Sequence, residues 1–190
     1  MKELVFLLEE ASSAAMLSSL LPRLLAPGIG FRLIAFEGKQ DLEKQLVGKL
    51  RAYRNQDARF IVLRDQDNHP DCRVLKQALL AKCEQSGRAA HCIVRIACHE
   101  LESFYLADLA AVEAALGLKG LQAQQQNKKF RAPDRLGSPS HELKILTRQS
   151  YQKVSGSKAI GALLDVQNQR SSSFYQLLQA IHRLQDELLA

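Results

Sequence analysis

Residues 60–67 read Phe-Ile-Val-Leu-Arg-Asp-Gln-Asp, a strand-like apolar run ending in two carboxylates spaced i, i+2. Side chains two apart on a strand share a face, roughly 6–7 Å from each other. Asp65 and Asp67 therefore repel in water, and a cation between them relieves the repulsion. Hard divalent ions take oxygen ligands, and Mg²⁺ is typically held by one or two carboxylates together with phosphate and water. Glu9 and Glu10 close the run Leu4-Val-Phe-Leu-Leu8, and Glu100 and Glu102 follow Ile93-Val-Arg-Ile-Ala97. Three acidic strand ends in so short a chain point to metal-dependent phosphoryl transfer.

Each residue also has a plainer reading. Asp favours turns and helix N-caps, but Asn68-His69-Pro70-Asp71 supplies the turn, and Asp71 is the better cap for the next helix. Asp65 and Asp67 are left for a metal. Glu9 reads as a third ligand, as a general base, or as half of a solvated pair. Glu100 and Glu102, if both helical, point about 200° apart, so one faces the site. Glu102 is favoured because Leu101, Phe104 and Tyr105 around it must pack on the sheet; its plain alternative is a first-turn acid favoured by the helix dipole. Lys39, behind Gly38, is placed to steady a phosphate, although no Walker loop is present. Lys128, Lys129, Arg131, Lys153, Lys158 and Arg170 are phosphate contacts by charge, or a solvated surface. His69 and His99 read as ordinary hydrogen-bonded histidines.

These residues need elements to hold them. Apolar runs at 4–8, 31–36, 60–64 and 92–97 have strand length, and helical spacing fills 12–25, 40–54 and 72–86. Ser12 or Ser13 is expected to cap the first helix and Asp41 the second, with Gly87 stopping the third. Near-continuous apolar strands alternating with helices predict an α/β fold, a parallel sheet covered on both faces. Ligands in such sheets bind beyond the carboxyl ends of the strands, where Glu9, Glu37, Asp65 and His99 fall. Helices are expected from Glu100 through Leu106 and from Asp108 to Leu116. Residues 117–139, with Gly117, Gly120, a Gln-rich stretch and Lys128-Lys129-Phe130-Arg131, read as a mobile loop or flap. Helical patterns resume at 140–148, 158–169 and 173–189. This gives an α/β core over 1–116 and a basic, helical extension over 117–190, packed on it as one domain.

The chain has 190 residues, 46% of them hydrophobic, enough for a real core. No run approaches the roughly 18 apolar residues of a membrane span, and acids interrupt the first apolar run where a signal peptide would be cleaved. The expected residence is the cytoplasm. Cys72, Cys83, Cys92 and Cys98 lack metal-ligand spacing and read as reduced, packed thiols. Residues 1–118 hold 15 basic and 15 acidic side chains, whereas 119–190 hold 11 basic and 5 acidic, so the net +6 belongs to the second part. That imbalance fits a polyanionic partner.

A strand ending in Glu and a later one ending in Asp-x-Asp, in parallel α/β order, resemble the Toprim domain of topoisomerases, primases and overcoming-lysogenization-defect nucleases. More closely, the chain resembles a Toprim-related bacterial family of unknown function, domain-of-unknown-function family 4276. The resemblance rests on Leu8-Glu9-Glu10-Ala-Ser12, Phe36-Glu37-Gly38-Lys39-Gln-Asp41-Leu42, Val62-Leu-Arg-Asp65-Gln-Asp67, Arg95-Ile-Ala-Cys-His-Glu-Leu-Glu102-Ser-Phe-Tyr-Leu-Ala-Asp108 and Arg170-Ser-Ser-Ser-Phe174. It implies a Toprim-like sheet, Glu9 as general base or ligand, Asp65 and Asp67 as the Mg²⁺ or Mn²⁺ pair, and Glu102 as a further catalytic acid. Glu10, Glu100 and Asp108 form a secondary acidic set. Glu10 stands where the Toprim motif usually has Gly. Members of the family are often encoded beside an ATPase, which implies a partner of that kind and a role in defence against phage or plasmids.

The leading functional expectation is thus a metal-dependent nuclease acting on nucleic acid, DNA first, possible as a homo-oligomer and with no membrane association. The alternative is a non-catalytic Toprim-like binding or partner module. Aspartyl-phosphate chemistry fits less well, because dehalogenase-type phosphatases place Asp-x-Asp after the first strand and receivers need a Lys after a fifth.

Overall fold

The four apolar runs do form strands, and their order explains where the acids go. The computed structural model describes residues 2–190. Strands β1 (Glu3–Leu8), β2 (Gly30–Ala35), β3 (Arg59–Asp65) and β4 (Cys92–Ala97) make one parallel sheet in the order β2-β1-β3-β4. β1 is central and buried along its whole length. Leu4, Phe6, Leu8, Ile61 and Leu63 face one core; Val5, Leu7, Phe60, Val62 and Val94 face the other. The pleat sends successive side chains to opposite faces, and near-continuous hydrophobic strands satisfy both.

Helices α2 (Lys39–Arg51) and α3 (Cys72–Gln85) cover the second face through Leu42, Leu46, Leu50, Leu79 and Cys83. The first face carries α1 (Ala11–Leu20), α4 (Glu102–Leu106), α5 (Leu109–Leu116), α6 (Pro139–Leu146), α7 (Lys153–Gly161) and α8 (Ser172–Leu189). Asp71 caps α3 by accepting from the Arg73 N–H at 2.7 Å, and Gly87, at φ +77°, follows that helix, both as expected.

Several boundaries differ from expectation. Helix α1 ends at Leu20, where Pro22 converts the chain to a 3₁₀ turn over Leu21–Arg23. Its N-cap is Glu10 rather than Ser12 or Ser13. Gly38, not Asp41, precedes α2, at φ +102° and ψ −179°, a conformation essentially confined to glycine. The helix expected at 158–169 is α7, five residues earlier. Asp165 and Asn168 end the helical pattern by accepting from the backbone N–H of Gln167 and Arg170, at 2.9 Å each, as Asx turns do.

Residues 117–139 are pinned instead of forming an open flap. Phe130 is 5% exposed. The Gln125 side chain accepts from Leu109 N–H and donates to the carbonyls of Leu106 and Phe130. Asp134 accepts from Ser171 Oγ at 2.7 Å and Ser173 N–H at 2.9 Å. Composition alone cannot show that one glutamine of a polar run is the buried one. No described helix is long and apolar enough to cross a membrane.

Candidate metal and phosphate site

At the carboxyl ends of β1, β2 and β3 lies a cavity of about 360 Å³, lined by Glu9, Glu10, Asp65, Asp67, Glu100 and Glu102, and also by Glu37, Gly38, Lys39, Gln40 and Lys153. The strand register builds it. Leu8 pairs with Leu63, so one step further along, Glu9 lies beside Arg64. The Arg64 Nε is 3.7 Å from Glu9 Oε2, too long for a hydrogen bond but close enough to matter electrostatically. Arg64 also pairs with Glu43 on α2. The Asp65 N–H donates to Glu9 Oε2 at 3.2 Å.

Asp65 shares the face of Ile61 and Leu63, is only 7% exposed and interacts with the Leu101 backbone and with Glu102. Asp67 does not follow the strand rule used for the pair. β3 ends at Asp65, and Asp67 sits at φ +52°, a left-handed position that Asp tolerates better than most residues. Its N–H donates to the His99 carbonyl at 2.6 Å, and the Gln66 N–H donates to Ala97 at 2.9 Å. The two β-to-α loops therefore clasp each other, and this contact aims Asp67 into the cavity.

Glu100 and Glu102 both line the cavity, against the expectation that only one would. α4 begins at Glu102, so Glu100 lies outside the helix and the 200° separation does not apply. Glu100 accepts from Ser140 N–H at 2.7 Å and Ser140 Oγ at 3.0 Å, which docks the first turn of α6 onto the site. Glu102 is 1% exposed and accepts from Tyr151 Oη at 3.0 Å. Tyr151 Oη also lies 3.0 Å from Ser157 Oγ.

Two lysines enter from opposite sides. Lys39 Nζ is 2.9 Å from Asp67 Oδ2, and Lys153 Nζ is 2.6 Å from Glu10 Oε2. Ser12 Oγ donates to the other Glu10 oxygen at 2.5 Å. Lys153 reaches Glu10 because α7 crosses α1 closely. A Cβ on Gly161 would lie 2.5 Å from the Met16 carbonyl oxygen, and Ser19 Oγ donates to the Lys158 carbonyl at 2.6 Å. Small residues in both helices permit that approach.

Burial dominates the electrostatics. It raises the Asp65 carboxyl well above its ordinary value, with Glu102, Glu9 and Glu10 adding repulsion. Burial and then Asp67 raise Glu9, and burial raises Glu102. The hydrogen bond from Lys39 to Asp67 raises the Lys39 ammonium. Burial alone would lower Lys153, but Glu10, Glu102 and Asp65 outweigh it and the ammonium is raised. Such a cluster favours cations and hard oxygen-bound ions above all. No three of the described His, Cys, Asp and Glu side chains form a preformed metal cage. One or two carboxylates completed by water and phosphate is the pattern of Mg²⁺, not of Zn²⁺ or Ca²⁺, and the donors present fit it.

Other expected site residues lie elsewhere. Asp108 caps α5 by accepting from Ala111 N–H at 3.1 Å and also binds Asp165 N–H at 2.8 Å; it is structural and outside the cavity. Lys128, Lys129, Arg131 and Lys158 do not line the cavity. Lys129 pairs with Glu142 at 2.5 Å. Arg170 binds the Ala107 carbonyl at 3.3 Å, and His69 Nδ1 accepts from Asp71 N–H at 3.2 Å. Tyr151, Ser157 and Arg64 were not foreseen, and no local motif announces them.

No curated protein matches the chain in sequence. Among solved structures, the C-terminal region of the Burkholderia pseudomallei OLD protein superposes with a TM-score of 0.51 at 16% identity, covering 98% of each chain. The fold is accordingly Toprim-like α/β. A family model described as Domain of unknown function (DUF4276) matches residues 8–182, nearly the whole chain, and the protein belongs to that family.

Proposed function

We propose that this protein is a divalent-metal-dependent nuclease acting on DNA phosphodiesters. The observation that carries the reading is the convergence of Glu9, Asp65, Asp67 and Glu102 with Lys39 and Lys153 in one cavity at the strand ends. Asp65 and Asp67 would hold Mg²⁺ or Mn²⁺, with Glu9 beside them. Such an ion, when bound, polarises a phosphoryl oxygen and eases deprotonation of water. The protein's own groups do the rest. Lys39 and Lys153 take phosphate oxygens, and the first turn of α2, opened by Gly38, lets a phosphate approach the backbone. Arg64 and the Asp65 N–H orient Glu9, and Tyr151 fixes the direction of Glu102. Burial and then Asp67 raise the Glu9 carboxyl, which makes its carboxylate the better base toward the attacking water.

The likeness to the OLD region supports a nuclease-related role at the level of fold, and divalent ions are common in Toprim-like sites. A second reading is favoured by the lysines already paired with Asp67 and Glu10: a module that binds a metal or nucleotide without turnover. The deciding experiment is plasmid cleavage by the purified chain with Mg²⁺ or Mn²⁺, alone and with any ATPase encoded beside it. Metal-dependent nicking abolished by Asp65→Asn plus Asp67→Asn supports the nuclease. Metal binding that depends on these residues without cleavage, alone or with the partner, supports the module.

A further inference from the structure

The basic part of the chain builds a second surface, apart from the acidic cavity. Three adjoining cavities run along α6 and the segment before it. Gln124 and Leu146 belong to two of them, and Lys129 joins the third. Their volumes are about 370, 270 and 580 Å³. The floor of the second and third is apolar: Ile145, 55% exposed, lies with half-buried Leu146 in the second, and half-buried Leu136 lies in the third.

The rim is cationic. Lys119 and Arg148 stand at one end, and Lys128 and Arg135 at the other. None of these four forms an ion pair among the described residues. The one acid lining the groove, Glu142, is bound by Lys129. Arg148 sits in a turn in which both it and Gln149 have positive φ, +50° and +65°, a conformation that costs energy in residues other than glycine.

From this groove we infer a docking site for an acidic amphipathic helix of another protein. A solvent-facing apolar strip inside a ring of free cations is complementary to a helix with leucine-like anchors on one face and carboxylates beside them. A nucleic-acid strand suits it less. Single strands grip through exposed aromatic platforms, and the only aromatic lining the groove, Phe130, is 5% exposed. A phosphate backbone would also leave Ile145 uncovered. Because Ser140, in the first turn of α6, holds Glu100 at the acidic cavity, the helix that lines the groove also touches the proposed active site.

The test is fluorescence anisotropy of the full chain with a labelled synthetic helix carrying Leu at i, i+3, i+4 and i+7 and Glu elsewhere. Saturable binding is expected, with none for the same leucine pattern carrying Lys. Ile145→Asp, and separately Lys128→Glu with Arg148→Glu, should each weaken it about tenfold or more. All three positions are exposed, and unchanged melting confirms folding. Absence of binding by the Glu-rich helix overturns the proposal. So does DNA binding that is lost in the charge variant and unaffected by Ile145→Asp, which would mark a nucleic-acid track. Asp65→Asn with Asp67→Asn should leave helix binding intact, so failure here is distinct from failure of the nuclease reading.

Discussion

The Asp65 main-chain N–H donates to Glu9 Oε2 across 3.2 Å, so the backbone of one strand holds the carboxylate that ends its neighbour. The side chain of Asp65 is meanwhile buried among like charges. Replacing Asp65 and Asp67 together by Asn removes that repulsion and keeps the shape. The ligand-free variant should melt at or above the parent's temperature. Mg²⁺ or Mn²⁺ should stabilise the parent by about 2.7 kcal/mol at a hundred times its Kd and the variant by none. Calorimetric melts with and without metal check this, and an undiminished response in the variant places the ion elsewhere.

Acid pH should stabilise the ligand-free protein until general acid unfolding sets in. Burial raises Glu9, Asp65 and Glu102, so the folded chain keeps protons that the unfolded chain releases near pH 4. Stability is therefore full below the unfolded values and is lost as pH rises through the folded ones. The melting temperature is expected to be higher near about pH 5 than at about pH 7.5, with the difference reduced in Asp65→Asn. A rising profile over that range would show these carboxylates to be stabilised as anions.

Two tyrosines beside the site should respond oppositely to loss of a hydroxyl. Tyr151 Oη serves Glu102 and Ser157, so Tyr151→Phe leaves a buried carboxylate short of a donor and should cost about 1–3 kcal/mol. Tyr105 Oη is buried and makes no hydrogen bond of good geometry among the described residues, approaching Ser157 only loosely, so Tyr105→Phe should be neutral or stabilising. Urea unfolding of both variants decides it, and equal losses would refute the contrast.

Lys39→Met and Lys153→Met should separate stability from function. Both lysines are about half exposed, at 49% and 51% of their side chains, and such ion pairs contribute less than about 1 kcal/mol. Melting should hardly change, while metal-dependent cleavage should fall by about tenfold or more. Unaltered cleavage in both variants would remove them from the phosphate-binding role.

Gly161→Ala should damage the site from a distance. The new Cβ meets the Met16 carbonyl oxygen at 2.5 Å, and backbone cannot swing aside as a flexible side chain does. A loss of about 1–3 kcal/mol is expected, together with weaker metal-dependent cleavage, because Lys153 and Tyr151 move with α7. Thermal melting and plasmid cleavage by the same variant test both parts, and an unperturbed protein would show that the crossing has slack.

The sheet was legible because parallel strands buried on both faces need long apolar runs, and little else in the chain has them. Asp65, Asp67 and Glu9 were legible because such sheets bind ligands at their carboxyl ends. The remainder depends on tertiary register. Lys153 and Tyr151 matter only because α7 starts at residue 153, five residues before the helical pattern of the sequence. Contact with α1 favours Gly161, and the Tyr151 ring, 2.6 Å from where a Cβ would stand, favours Gly156; glycine is a poor helix former on propensity alone. Arg64 is hidden inside an apolar strand, and Asp108 reads as a site acid because a cap and a ligand are the same residue type in sequence.

The Lys153–Glu10 contact joins residues 143 apart. On the ribosome, the strands that carry the carboxylates emerge first, and the ammonium that answers Glu10 emerges much later. Closing so long a loop is entropically slow to be rewarded. Until α7 docks on α1, a nascent chain holds an acidic cluster without Lys153 and without the hydroxyl that directs Glu102. Competence would then arrive as a late step of folding, so a truncated or stalled product would be inert at the site even with its sheet assembled.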